Sequence, residues 1–427
     1  MDDEFDIDIR EGHDGNVVFV YSCFRAASTW FWSRLRRCPE LCCYYEVFNE
    51  QLEHLSLADV PSVHPGNWRS HHPDTGPYLT EFASLLGSVP GIAGFPVESP
   101  LGSRFLGKAG IGGPLDRDVE AYLGRLIDAA KASRRMPVIT CTRLLGRVAG
   151  LRAAFAGTHI LLVRNLFEQW NSAYGQLRTG NDYFLRMIFN QLNFGRQDGF
   201  FSYLMLLFDE RDQACFENWA RDDNADAVFC CYIVSRIYLL LIARRYCDLI
   251  VDVTSLNHRE SRAAAEDALS RLLDVDVDLG NFEHRVDYPK RLLGSPADCR
   301  TMIGELLERG LSEAGASDDE RGFAYGLADS AWEAHERFMA YTSGAREVIE
   351  DQARRVAGLV GIASSLETRV QDLEGQVVRR GNEVAALQRA GEGWRLQAQA
   401  AEANLENRLR DMANLESRLD EARRRSD

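Results

Sequence analysis

The chain has 427 residues, 45% of them hydrophobic, enough to bury a full core and still leave length for an appendage. Its formal charge of −15 argues against general nucleic-acid binding, which needs a basic face, so an anionic ligand must be held by local arginines rather than by the overall field. Lysine occurs only at Lys108, Lys131 and Lys290, so nearly every cation available for that task is an arginine.

Residues 1–15, MDDEFDIDIREGHDG, form an acidic tail without the basic and apolar regions of a signal peptide. Val17 to Tyr21 is a run of β-branched and aromatic residues that predicts a buried strand. Ser22 to Ala27 reads as a tight turn around Arg25. Ser28 and Thr29 are placed to cap a helix over Trp30 to Arg37, which stops before Pro39. Strand, tight loop and hydroxyl-capped helix make a phosphate cradle, because backbone N–H groups and the positive helix end converge while Arg25 adds a cation. No GK[ST] follows, so a nucleoside-triphosphatase loop is a poor match.

Cys38 to Glu50 predicts a short strand leading into a loop of polar and carboxylate residues, Tyr45-Glu46-Val47-Phe48-Asn49-Glu50. Residues 56–115 are rich in Gly, Pro, Ser and His and read as long loops with one helix near Tyr78 to Leu86, a setting suited to acceptor binding. Asp118 to Arg135 is periodic at helical spacing. It is followed by a strand at Val138 to Thr142, a helix at Leu145 to Phe155 and a strand at His159 to Val163. The alternation predicts an α/β fold: a P-loop-like open parallel sheet flanked by helices. Arg164 ends the last of these strands, where ligands bind in such sheets. Leu166, Trp170, Tyr174 and Leu177 then mark the apolar stripe of the next helix. A helix over Phe229 to Tyr246 and a strand at Leu249 to Val253 extend the domain.

Within that helix, the most apolar window (Tyr232 to Tyr246) is broken by Arg236 and reads as too short to span a bilayer. The ten cysteines are scattered, with neighbours at Cys42-Cys43 and Cys230-Cys231, unlike a disulfide framework, and no CxxC or HxxxH pair points to a metal. Buried free thiols in a cytoplasmic protein without an integral membrane segment are the expectation. Arg300 to Met339 reads as amphipathic helix packed on the core. From Val356 through Leu359, Ala363, Leu366, Val370, Leu373, Val377, Val384 and Leu387, and on to Trp394, Leu405, Met412, Leu415 and Leu419, apolar residues follow a 4-3 repeat. The repeat predicts a C-terminal coiled coil and a homo-oligomer, imperfect because Arg380 and Arg408 fall at core positions; the alternative is a solvated single helix. The expected domains are the tail at 1–15, the α/β domain at 16–295, a helical extension at 296–343 and the coiled coil at 344–427.

Cys23-Phe24-Arg25-Ala26-Ala27-Ser28-Thr29-Trp30 resembles the 5′-phosphosulfate loop of sulfotransferases, with Ala27 where the family normally has Gly. The stretch THILLVRNLFEQWNSAYGQ resembles that family's 3′-phosphate motif: Arg164 ends the strand and Ser172 follows eight residues later, with Leu166 in place of the usual Pro. The resemblance covers about Asn16 to Arg285. It implies that Arg25, Ala26, Ala27, Ser28, Thr29 and Trp30 cradle the 5′-phosphosulfate of 3′-phosphoadenosine 5′-phosphosulfate (PAPS), while Arg164 and Ser172 hold its 3′-phosphate. The segment at Glu46 is similar to the one that carries the catalytic base in glycan-directed and bacterial members, which implies a glycan or small-molecule hydroxyl as acceptor, Glu46 as base and Arg25 as a catalytic cation.

Glu50 is the other carboxylate in reach, His71 and His72 lie in the acceptor loops, and Arg143 ends a strand where it either meets a ligand or forms a sheet-end salt bridge. For Glu46 the bland alternative is a surface acid paired with an arginine; for Arg164 it is a cap on the sheet edge. Two other function classes stay open: a nucleotide kinase, disfavoured by the missing GK[ST], and a coiled-coil scaffold with a degenerate nucleotide-binding head.

Overall fold

In the computed structural model, residues 17–63, 75–96, 105–209, 216–280, 282, 293–342 and 346–426 are described. The chain divides into two units, Met1–Ala340 and Tyr341–Asp427. The expected tail at 1–15 and the histidines His71 and His72 lie outside the described residues.

Five strands form one parallel sheet in the first unit: β1 (Val18–Ser22), β2 (Leu41–Tyr45), β3 (Met136–Cys141), β4 (Thr158–Val163) and β5 (Leu249–Asp252). Their order across the sheet is β2-β3-β1-β4-β5, with Tyr21 beside Cys141, Ser22 beside Leu162 and Tyr45 beside Thr140. Strands buried on both faces need unbroken apolar runs, and β1 and β4 are buried at every position.

The helices are α1 (Ser28–Leu35), α2 (Arg117–Ala132), α3 (Val148–Ala154), α4 (Leu166–Arg178), α5 (Tyr183–Phe194), α6 (Gly199–Asp209), α7 (Phe216–Trp219), α8 (Ala225–Arg244), α9 (Arg259–Leu273), α10 (Pro296–Glu313) and α11 (Asp318–Thr342). The first helix starts two residues before the expected position. Its N-cap is Ala27, in the left-handed region at φ 59° and with no side-chain cap, so Ser28 and Thr29 fall inside the first turn instead of capping it. Phe31, Trp32 and Leu35 bury the other face, and the Trp32 indole donates to the Cys43 carbonyl at 2.7 Å. The helix expected near Tyr78 to Leu86 is a short 3₁₀ segment, Thr80–Leu85, and the helical stretch read over 300–339 is a pair of helices, α10 and α11, that meet at Gly315 (φ +58°). The segment between Arg178 and Ala225, which carried no sequence signal, supplies α5, α6 and α7.

With 20 residues, α8 is long and apolar enough to cross a bilayer, longer than the window read from the sequence; 83% of its apolar window is buried inside the unit, against α4, α10 and β4. The nine described cysteines are free and buried, as expected of thiols that serve as core.

The second unit is one helix, α12 (Arg346–Ser426), 81 residues and about 120 Å long at 1.5 Å per residue. It runs unbroken through Gly391 and Gly393. The residues of the 4-3 repeat are exposed along it, from Val356 at 58% to Leu419 at 56%, with Trp394 at 73%.

Candidate active site

Strand order decides where a ligand can enter. From its carboxyl end β1 leads away through α1 to β2, on one side, while β4 leads through its helices to β5, on the other. The two connections diverge, and a crevice opens between the ends of these neighbouring strands. The phosphate-loop residues follow β1 and Arg164 follows β4, so the two stretches singled out in the sequence stand on opposite lips of that crevice.

They also touch. The Arg25 Nε donates to the Ser172 hydroxyl at 2.8 Å, and the Arg164 Nη1 donates to the Arg25 carbonyl at 2.9 Å. Side chains that the resemblance gives to two ends of a donor therefore meet at one place. Arg25 lies over the Phe184 ring, 5.0 Å from its centre, and Arg164 is also ion-paired with Glu168 at 3.3 Å. Arg164 caps no bare sheet edge. Asn165 caps α4 by accepting from the Glu168 N–H at 3.2 Å, its N–H donates to Thr254 and its amide is held by Ser330 of α11. Thus α4 enters at a fixed angle, and Ser172, two turns on, is delivered to the crevice.

Five non-glycine residues among those described are at positive φ, and they include Arg25 (66°), Ala27 (59°) and Glu46 (49°). A left-handed conformation costs an L-residue about 1–2 kcal/mol. Three of the five strained positions thus fall at the carboxyl ends of β1 and β2, and such strain gathers where the surroundings over-determine the backbone.

The loop side chains divide by role. Ala26 is buried and its N–H donates to the Cys23 carbonyl at 3.4 Å, closing the turn. The hydroxyl of Thr29 pairs with the Tyr45 hydroxyl at 2.6 Å, and Ser28 sits against the same phenol, whose ionisation burial opposes. Both hydroxyls face β2, which leaves their contribution to a ligand to the backbone of the first turn. Trp30 is half-buried, with its ring centre 4.4 Å from that of Phe282.

At the ends of β2 and β3 the chemistry is different. Glu46 is 9% exposed and accepts from the Thr142 N–H and the Thr142 hydroxyl, both at 3.2 Å. Burial raises its pKa above the usual carboxylate range, against the pull of Arg143 and the Thr142 bonds. It is no surface acid. Arg143 is 2% exposed and donates to the Phe48 carbonyl, to Glu50 at 3.1 Å and to the Tyr183 hydroxyl at 2.6 Å. The salt-bridge alternative for Arg143 is the one observed, and it occupies Glu50 as well. Tyr183, Tyr45 and Thr142 belong to the site and carried no motif; Tyr183 comes from the unread segment. Phe24 joins the two halves, edge-on to Tyr183 with ring centres 6.2 Å apart.

Among the described residues no group of three or more His, Cys, Asp or Glu is arranged to hold a metal ion. The donors at the crevice are guanidinium, hydroxyl and amide N–H groups, which bind anions rather than cations. Comparison with known proteins finds no match: no family model, no curated protein and no solved structure.

Proposed function

We propose that the chain is a sulfotransferase that moves a sulfuryl group from PAPS to a hydroxyl of a carbohydrate or glycoconjugate. The observation that carries the reading is the meeting of the two motifs: Arg25 on Ser172 and Arg164 on the Arg25 carbonyl, across the one crevice the strand order creates. P-loop-like describes its first turn: a strand, a left-handed loop and a helix start without a side-chain cap, whose N–H groups suit a phosphosulfate. A half-buried Trp30 with Phe282 beside it offers ring faces to a purine.

Sulfuryl transfer, like phosphoryl transfer, passes a planar anionic group in line between two oxygens, so positioning and charge stabilisation dominate. Arg25 supplies charge at the transferring group, and the first-turn N–H groups of α1 supply fixed dipoles. Glu46 takes the acceptor proton. Its raised pKa moves its basicity toward neutrality while Thr142 and Arg143 keep it oriented. PAPS, when bound, supplies the sulfuryl group. The acceptor enters from the β2/β3 side, where Glu46 and Tyr183 stand.

The exposed 4-3 stripe of α12 supports a second element of the proposal, a homo-oligomer through a coiled coil, because a stripe this long of half-exposed Leu and Val gains most by facing its own copy. Free buried thiols fit a reducing, cytoplasmic setting.

The test is transfer of label from sulfur-labelled PAPS to a panel of glycans and small alcohols, beside binding of adenosine 3′,5′-bisphosphate and ADP. Preference for the bisphosphate with label transfer supports the enzyme. Preference for ADP points to a kinase. Binding of neither, with assembly intact, points to a scaffold with a degenerate head. Truncation before Arg346 should turn the oligomer into monomers and leave bisphosphate affinity unchanged; equal masses by light scattering would sink the coiled coil.

A further inference from the structure

Between Asp226 in its first turn and Arg244 at its end, the apolar α8 carries a single charge, Arg236. It is 3% exposed, yet among the described residues no carboxylate pairs with it, and its Nε and Nη2 are buried with no hydrogen-bond partner. Buried guanidinium groups are normally paired, because leaving water without compensation is costly. A persistent exception calls for a reason.

Its surroundings supply one. The Tyr232 ring, one turn back, lies 5.6 Å from the guanidinium carbon. Arg236 also hydrogen-bonds the thiol of Cys23, at the start of the Arg25 loop, whose ionisation burial opposes and the Arg236 charge favours. The Tyr232 hydroxyl feels Arg236, Arg164 and Arg25 together. Tyr232 packs on Trp170 of α4, ring centres 5.4 Å apart, so Arg236 is joined through it to the helix that carries Ser172, where Arg25 and Arg164 already meet.

We propose that Arg236 is an anion-binding residue, the deep wall of a three-arginine site that takes a phosphomonoester, the 3′-phosphate of the donor. This rests on the sulfotransferase reading for the name of the ligand, though not for its charge. A phosphomonoester brings nearly two negative charges and three acceptor oxygens at neutral pH. It satisfies the buried Nε and Nη2 and still leaves an oxygen for Arg164 and Ser172. A phosphodiester or a sulfate ester brings one charge and satisfies them less well. The arrangement would therefore separate the bisphosphate from nucleotides lacking the 3′ group.

The experiment is calorimetric titration of the full chain with adenosine 3′,5′-bisphosphate, adenosine 5′-monophosphate and inorganic pyrophosphate, in the wild type, Arg236→Met and Arg236→Lys, with thermal unfolding of each free and liganded. Arg236→Met should weaken the bisphosphate by about 10- to 100-fold, the loss of a charge-assisted contact. It should move the 5′-monophosphate by less than about threefold. Arg236→Lys should retain part of the bisphosphate affinity. Free Arg236→Met should unfold at the wild-type temperature or above it, since it removes a buried charge that has no counter-ion. A structural arginine predicts the reverse: a lower melting temperature and equal weakening of both nucleotides, which would overturn the proposal. Bisphosphate binding indifferent to Arg236 overturns it too, while the sulfotransferase reading survives. Pyrophosphate binding that requires Arg236, without bisphosphate binding, keeps the anion site and removes the sulfotransferase reading. A wild-type chain that binds none of the three ends both.

Discussion

The two halves of the crevice are built on opposite plans. At β1 and β4, Arg25 and Arg164 meet at the Ser172 hydroxyl and the Arg25 carbonyl, and on α8 Arg236 is buried with its Nε and Nη2 unpartnered among the described residues. At β2 and β3 every charge is answered from within: Glu46 by Thr142 and the Arg143 charge, Glu50 by Arg143, Arg143 by Phe48 and Tyr183 as well. A half that answers its own charges can hold a neutral reactant and handle a proton. A half with a surplus cation needs an anion to complete it. On the proposed reading the donor belongs to the first half and the acceptor to the second, and each variant below is chosen to upset one side and spare the other.

The largest effect is expected from Glu46→Gln. It keeps shape and can still accept from Thr142, but it cannot take a proton. Single-turnover transfer with bound donor should fall about 10²- to 10⁴-fold, while bisphosphate affinity stays put, because the proposal puts the phosphates on the other side. Parent-rate transfer by Glu46→Gln, with loss in Glu50→Gln or His72→Ala, would move the base elsewhere. The pH profile carries the same information. Burial raises the Glu46 pKa, so the native state favours its protonated form. That contribution to stability is complete below the ordinary carboxylate pKa and is lost as pH rises through the raised value. Over that same rise the base form appears, so wild-type transfer should climb as stability eases, and the climb should be missing in Glu46→Gln.

Next in size come the arginines of the other half. Arg164→Ala should mainly weaken donor binding and Arg25→Ala mainly lower turnover, each by about 1.5–3 kcal/mol for a lost charge-assisted contact. Because Arg25 and Ser172 are bonded, the double variant with Ser172→Ala should lose less than the sum of the singles. Additive losses would place the two side chains on separate phosphates after all. Unchanged affinity and rate in both single variants would end the donor assignment.

The sequence made one half more legible than the other. Repeating strand and helix patterns announced the parallel sheet, and Arg164 and Ser172 were visible because both sit at fixed offsets from a strand end. Arg25 was visible as the only cation in a small-residue turn. Tyr183 was not, since it is the first residue of α5 and stands at no fixed offset from a strand end, although α5 itself is amphipathic. Arg236 was read merely as an interruption of an apolar run. Only packing reveals that its Nε and Nη2 are buried without partners among the described residues, because burial is a property of neighbouring elements, not of spacing. The cap of α1 was misplaced for a similar reason: hydroxyls mark caps by propensity, but the left-handed Ala27 takes the cap position and moves Ser28 and Thr29 into the turn.

Ala27 supplies the smallest test and asks how the anion-binding half is held together. At φ 59° an alanine pays steric strain that a glycine does not. If the strain is simply tolerated, Ala27→Gly relieves about 1–2 kcal/mol in the folded state and gives back about 0.4–1 kcal/mol through the freer unfolded chain. The net is a modest stabilisation, seen as a rise of about 1–2 °C in melting temperature. Ligand affinity should then change little, since the first-turn N–H groups keep their direction. A different result would be more informative. With no side-chain cap, α1 is anchored by its buried face (Phe31, Trp32 and Leu35) and by the Thr29–Tyr45 bond, and alanine at 27 narrows what the turn can do. Should Ala27→Gly raise stability yet weaken bisphosphate binding, the methyl group is pre-forming the cradle, and its strain is the cost of keeping the loop ready for its anion. The paired measurement, melting temperature and affinity on the same variant, separates the two. A fall in stability would mean that the left-handed cap is not strained in solution, and the argument from clustered positive φ angles would lose its strongest member.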